Sequence, residues 1–171
     1  MQTIYVDWGG KVKLTWMPRL ELRESLIVTS VHAVCIKDGK VLLVQIKDRG
    51  FNYPGGHVEA GESMEEAILR ETYEEGYVKG TVQYIGSIEV SHVENLSFNP
   101  KGKYPLIAYQ AFFRMDVTEC LPFLSENESS SRIWLDPSEV PFIINDHELA
   151  KLILSEALTL NSSETLGSTS K

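Results

Sequence analysis

Apolar and polar positions alternate along the chain in two rhythms. Thr3 to Val6 and Lys11 to Trp16 are short strand-forming runs on either side of Asp7-Trp8-Gly9-Gly10, a turn signal, and together they predict a hairpin. Leu26 to Ile36 and Lys40 to Ile46 are rich in β-branched residues and are separated by Lys37-Asp38-Gly39, whose Asp-Gly pair is a strong hairpin turn. Further strands are predicted at Val82 to Val90, Leu106 to Met115 and Arg132 to Leu135. The helical rhythm occurs twice. From Ser63 to Glu75, Met64, Ala67, Ile68 and Thr72 recur at helical steps, with carboxylates at many of the other positions. From Glu148 to Leu160, Leu149, Leu152, Ile153, Ala157 and Leu160 form the apolar stripe of a final helix, and Asn145, Asp146 and Glu148 suit its N-terminal cap. A middle helix between strand runs, a late helix and several hairpins predict an α+β sandwich with a mixed β-sheet, not a strict strand–helix alternation.

A chain of 171 residues, 43% of them hydrophobic, is enough for one closed core. Residues 1–160 read as a single domain in which 1–25 form an N-terminal extension, and the Ser-, Thr- and Gly-rich stretch 161–171 reads as a disordered tail. Apolar runs such as Val41 to Val44 fall far short of the ~20 residues a membrane-spanning helix needs, and Met1 to Trp8 lack a secretory leader's pattern. Cys35 and Cys120 have no CxxC partner and sit in or beside apolar runs, which predicts buried free thiols in a reducing cytoplasm. The net charge of −8 would repel a phosphate polymer, so a polymeric nucleic acid is excluded as the expected partner. A small phosphorylated ligand is compatible with that charge when a divalent cation stands between carboxylates and phosphates.

The densest chemistry lies between Pro54 and Val78. Seven carboxylates and one cation, Arg70, occur from Glu59 to Glu75. An ordinary surface helix interleaves lysines, because like charges at i+4 repel. Glu71, Glu74 and Glu75 stand at i, i+3 and i+4, on one helix face, and their hard oxygen donors suit Mg²⁺, with Mn²⁺ as the alternative, better than zinc. His57 has no second histidine nearby to make it a ligand. Pro54-Gly55-Gly56 lets the backbone approach the helix and offers a carbonyl to a metal, since glycine lacks Cβ and permits positive φ. Glu62 is expected at the helix start, favoured by the dipole, and Arg70 within reach of Glu62, Glu66 and Glu74, orienting the acidic side chains.

Gly56, five residues, Glu62, seven residues, and then Arg70-Glu71-Thr72-Tyr73-Glu74-Glu75 resembles the Nudix box of hydrolases that cleave a nucleoside diphosphate linked to another moiety. The resemblance implies a Nudix-like α/β/α sandwich and a metal-dependent pyrophosphohydrolase acting on a small nucleotide. Two positions depart from the pattern: Thr72 stands where an aliphatic residue is usual, and Tyr77 stands where a glycine is usual, with Gly76 one position early. The early glycine predicts a helix ending one residue sooner. By resemblance, Glu71, Glu74 and Glu75, with a carbonyl of Gly55 or Gly56, would hold the metal, and Arg70, Glu71 and Glu74 would be catalytic. Glu71 or an outside carboxylate would take a proton from the attacking water. Glu128, six residues before Trp134, is the chosen outside carboxylate; a solvated loop glutamate is the other reading.

Substrate contacts are less sharply marked. Phe51 and Tyr53 can stack on a base or belong to the core, and Lys47 and Arg49 can meet phosphates or solvent. His92 and Glu94, in a polar stretch after a strand, can touch substrate or merely shape a loop. Asn145 can read a base edge, as in nucleotide-cleaning Nudix enzymes, or cap the last helix. By resemblance to the nucleotide-cleaning branch, nucleoside triphosphates, including oxidised purines, lead among the substrates, with dinucleoside polyphosphates, nucleotide sugars and ADP-ribose open. A nucleotide-sensing module without turnover is the alternative function, and the chain is expected as a monomer or homodimer.

Overall fold

The computed structural model describes residues 1–160, so the predicted tail lies outside the described residues. The strands are β1 (Gln2–Asp7), β2 (Lys11–Pro18), β3 (Val28–Lys37), β4 (Lys40–Ile46), β5 (Gly50–Asn52), β6 (Gly55–His57), β7 (Val78–Ser91), β8 (Ile107–Cys120) and β9 (Ser129–Leu135). The helices are α1 (Met64–Gly76), the single turn α2 (Val140–Ile143) and α3 (Leu149–Thr159). The main path of the sheet runs β1-β2-β7-β8-β3-β4-β5, with β6 on β3 and β9 on β4. β3 and β8 are parallel while their other neighbours are antiparallel, which is the mixed sheet the sequence predicts.

Both faces of the central strands are apolar, and the period of two sorts their side chains between two cores. Ala33, Cys35, Leu42 and Val44 face α1, packing with Ala67 and Ile68. Val34, Val41 and Leu43 face the opposite layer, with Leu149, Ile153, Leu154 and Ala157 of α3. The result is an α/β/α sandwich. Arg114, buried in β8, donates to the carbonyls of Ala157 and Leu160 and so closes the C-terminal end of α3.

Several predicted elements change in detail. The Asp-Gly turn forms with Asp38 and Gly39 both at positive φ, but β3 and β4 pair only at Ile36–Val41 and Lys37–Lys40 before they part, letting β4 pair with β5 and β9. β7 and β8 run longer than expected because they pair with each other from Val78–Cys120 to Ser91–Ile107. β2 pairs with β7, so the first hairpin extends the sheet. Glu148 caps α3 without a side-chain hydrogen bond, so the expected Asn145–Glu148 cap does not form. Cys35 is buried, its thiol pushed up by desolvation, and Cys120 is only half-buried; both are free thiols. Among the described residues no helix is long and apolar enough to cross a membrane.

Candidate active site

α1 starts at a capping box. The Ser63 hydroxyl accepts from the Glu66 backbone N–H over 3.1 Å, and the Glu66 carboxylate accepts from the Ser63 N–H over 3.0 Å. Glu62 therefore lies before the helix rather than at its first turn, and it accepts two bonds from Arg70 instead. The guanidinium also donates to Glu71 Oε1 over 2.8 Å, to Glu74 Oε2 over 3.3 Å and to the carbonyl of His57 over 3.1 Å. One cation thus gathers three carboxylates and pins β6 to the helix. The Arg70 hydrogen bonds hold the Glu62 carboxyl down at about 2. Glu66, committed to the helix cap, accepts no hydrogen bond from Arg70.

Glu71 and Glu75 are buried and Glu74 is half-buried on the same face. Desolvation pushes Glu75 up to about 8, against the pull of the Gly55 N–H that donates to Glu75 Oε2 over 3.0 Å. Glu71 is raised too, chiefly by burial, with the nearby charges of Glu74 and Glu128 adding to it. Gly55 and Gly56 do not use positive φ. They are required for closeness: a Cβ on Gly56 would lie 2.5 Å from Glu71 Oε1.

The departures from the box resolve as follows. Thr72 is wholly buried, and its hydroxyl donates to the Ile68 carbonyl over 2.7 Å, so no polar group is stranded among the apolar side chains. The helix does not end early. Gly76 belongs to it, where a Cβ would meet Leu42 Cδ2 at 2.8 Å, and Tyr77 itself takes the left-handed C-cap conformation at φ 55°. Glu75 accordingly keeps its helical place.

A cavity of about 1300 Å³ opens over this face. Glu71, Glu74, Glu75, Arg70, Gly55, Gly56 and Glu128 line it, as do Arg49, Asn52, Asn145, Asp146 and His147. Of the expected substrate contacts, Arg49, Tyr53 and Asn145 reach the cavity; Lys47 and Phe51 do not. Lys47 is an exposed turn residue and Phe51 packs against the α3-side core. Tyr53 is 5% exposed, with its hydroxyl donating to the Ala150 carbonyl, so it is mainly a core residue. Asn145 Nδ2 donates to the Arg49 carbonyl, which ties two cavity-lining segments together where a helix cap was expected. His92 lines the wall, whereas Glu94 is occupied by Tyr5 and Lys11. Trp8, His32, Tyr104, Gln110 and His147 also line the cavity and were not assigned to it from sequence; only the folded sheet brings them there. His32 stacks on Phe112 at 5.2 Å, and burial lowers its imidazole to about 4, so it is neutral near pH 7.

Among the described residues, no group of three or more His, Cys, Asp or Glu side chains stands as a ready-made metal cage. The donor chemistry nevertheless fits a hard divalent cation. Carboxylates alone supply the charge, two of them are buried at an energetic cost that a cation would offset, and glycine backbone stands against them.

This fold and this acidic, glycine-backed helix define a class: the NUDIX domain family model matches residues 27–155, and the chain belongs to that family. Over 61 residues the chain is 44% identical to YtkD of Bacillus subtilis, provisionally named an 8-oxo-dGTP diphosphatase, a stretch covering 35% of this chain and 39% of that one. Over 50 residues it is 44% identical to the ADP-ribose pyrophosphatase of Methanocaldococcus jannaschii, covering 27% of this chain and 30% of that one. The chain thus spans well under half the length of these curated relatives. Among solved structures, the Bacillus subtilis pyrophosphohydrolase BsRppH matches with a TM-score of 0.69 at 21% identity, covering 93% of this chain and 97% of that one. The NUDIX domain of Shewanella oneidensis NrtR, complexed with ADP ribose, matches with a TM-score of 0.58 at 18% identity, covering 80% and 89%. At such identities the structural likeness establishes the fold.

Proposed function

We propose that the protein hydrolyses a pyrophosphate linkage in a small nucleoside diphosphate derivative with the help of a divalent cation, Mg²⁺ or Mn²⁺. The observation that carries this reading is the single cavity lined both by Glu71, Glu74, Glu75 and Glu128 and by the polar groups of Arg49, Asn52 and Asn145. Glu71, Glu74 and Glu75, with the Gly56 carbonyl, would hold the cation. When bound, it would polarise phosphoryl oxygens and offset the charge that gathers on them. Arg70 orients Glu71 and Glu74. Glu128 receives the proton of the attacking water at its carboxylate. Asn145, Arg49 and Asn52 offer hydrogen-bonding groups to the nucleoside, and Tyr53 and Phe112 supply apolar wall.

Nucleoside triphosphates, including oxidised purine forms, are the proposed substrates, supported by the name of one curated relative; ADP-ribose, in the name of the other, is the comparison. A glycine displaced by one position is the sequence feature that favours a sensing module without turnover; the unbroken course of α1 through Gly76 supports the hydrolase reading.

The test is release of phosphate or pyrophosphate from nucleoside triphosphates, 8-oxo-dGTP and ADP-ribose, with Mg²⁺ and with Mn²⁺, comparing the wild type with Glu74→Gln. Metal-dependent release that the substitution abolishes is the expected result. Tight nucleotide binding without release from any of them would move the reading to the sensor.

A further inference from the structure

The far end of α1 is built in an unusual way. Tyr77 lies just past the helix at φ 55° and ψ 41°, a conformation that a side chain with a Cβ avoids. The residue is nonetheless only 5% exposed, so its side chain is engaged rather than merely tolerated. The Leu121 N–H donates to the Tyr77 carbonyl over 2.9 Å, and the Glu126 N–H donates to the Tyr77 hydroxyl, also over 2.9 Å. Between these two points the ring of Phe123 meets the Tyr77 ring edge-on at 5.2 Å, with the Arg132 guanidinium 5.8 Å from the Phe123 ring. One residue therefore fastens both ends of the segment 121–126, by its main chain at one end and its side chain at the other.

The continuation of that segment is fastened to the same helix end. The last carbonyls of a helix lack intrahelical partners. Here Asn127 Nδ2 donates to the Glu74 carbonyl over 3.1 Å, Ser129 Oγ to the Glu75 carbonyl over 2.7 Å, and Arg132 Nη1 to the Gly76 carbonyl over 2.9 Å. Glu128 stands between Asn127 and Ser129, and it lines the cavity with the helix carboxylates.

We propose that Tyr77 is a positioning residue: its hydroxyl and ring hold the segment 121–128 against the C-terminus of α1 and thereby set Glu128 over the acidic face. A glycine at this position would accept the left-handed conformation without strain and keep the Leu121 bond, but it would lose the Glu126 bond and the Phe123 contact. The tyrosine thus exchanges an easy turn for a fixed loop. The proposal rests on the role given to Glu128 above.

The test uses the full chain as wild type, Tyr77→Phe, Tyr77→Gly, Glu128→Gln and the Tyr77→Phe/Glu128→Gln double variant. Amide exchange of residues 121–130 is followed without metal, and kcat and KM are measured with Mn²⁺ on 8-oxo-dGTP and ADP-ribose. Loss of one buried hydrogen bond predicts exchange about two- to tenfold faster in Tyr77→Phe, and faster still in Tyr77→Gly, with the α1 peptides unchanged. The value of kcat is expected to fall in both with KM nearly constant, and Tyr77→Phe should add nothing once Glu128 is Gln. Unchanged exchange at 121–130 in both variants overturns the tether, whatever the turnover. Faster exchange with full kcat in Tyr77→Phe, where Glu128→Gln does lower kcat, overturns the positioning role and leaves Glu128 in place. Full kcat in Glu128→Gln removes the assignment of Glu128, and this proposal with it.

Discussion

Arg70 grips the carboxylate of Glu62, eight positions back along the chain, through two parallel bonds of 2.7 Å from Nε and 3.0 Å from Nη2. The fork leaves Nη1 free to hold Glu71 and Glu74, so the same side chain joins the strand–helix loop to the acidic face. The planar five-donor guanidinium of Arg70 serves all three carboxylates at once.

Lysine cannot do this, having one point of charge and no fork. Arg70→Lys is therefore expected to keep the fold but lower metal affinity or activity by roughly 10- to 100-fold, the usual cost of losing a group that orients metal ligands. Mn²⁺ titration beside a thermal melt checks it; unchanged affinity would contradict the orienting role.

Gly56 has no room for a methyl group next to Glu71 Oε1, 2.5 Å from where the Cβ would be. In Gly56→Ala the Glu71 carboxylate must swing away, breaking its 2.8 Å bond from Arg70. We expect metal-dependent turnover to drop at least about tenfold while the melting temperature moves little, since the displaced group faces the cavity rather than the core. Steady-state rates and calorimetry on one preparation separate the two effects.

At Gly76 the obstacle is the core itself. Leu42 is fully buried, so the Cδ2 atom 2.8 Å from a new Cβ cannot yield into solvent. Gly76→Ala should cost about 1–3 kcal/mol by overpacking, and Leu42→Val in the same chain should recover part of it. Urea unfolding of the single and double variants measures both, and a neutral Gly76→Ala would show that α1 can lift from β4 freely.

His32 makes one contribution to the pH dependence whose sign is definite, opposite to that of the raised Glu75. Burial lowers its imidazole from 6.5 to about 4, so between those values the unfolded chain takes up a proton that the folded chain refuses. Its contribution is full above about pH 6.5 and is lost as pH falls towards 4, by about 3 kcal/mol at most. His32→Gln, which retains a polar group near Ser30, should flatten this part of the urea-midpoint profile between pH 7.5 and 4.5. Equal slopes for wild type and variant would assign the acid sensitivity to carboxylates instead.

What the sequence determined by itself is local. Periods of two and 3.6 residues marked the longer strands and the two longer helices, α1 and α3, but not the three-residue β5 and β6 or the single turn α2, and the spacing of Gly56, Glu62, Arg70, Glu71, Glu74 and Glu75 marked the acidic face, because helical geometry converts spacing directly into proximity. The turn at Asp38-Gly39 is legible for the same reason. Tertiary structure decided everything that depends on distant segments. Lys47 and Phe51 are near the glycine turn in sequence but lie outside the cavity, whereas Trp8, Gln110 and His147 are remote in sequence and line it. Asn145 looked like a cap from its neighbours, yet its amide is taken by the Arg49 carbonyl 96 positions away. The displaced glycine is the clearest case. Read alone, Gly76 ends a helix; only the approach of Leu42 from β4 shows that it is needed for closeness, and only the loop 121–126 offers the partners that hold Tyr77 in a left-handed turn.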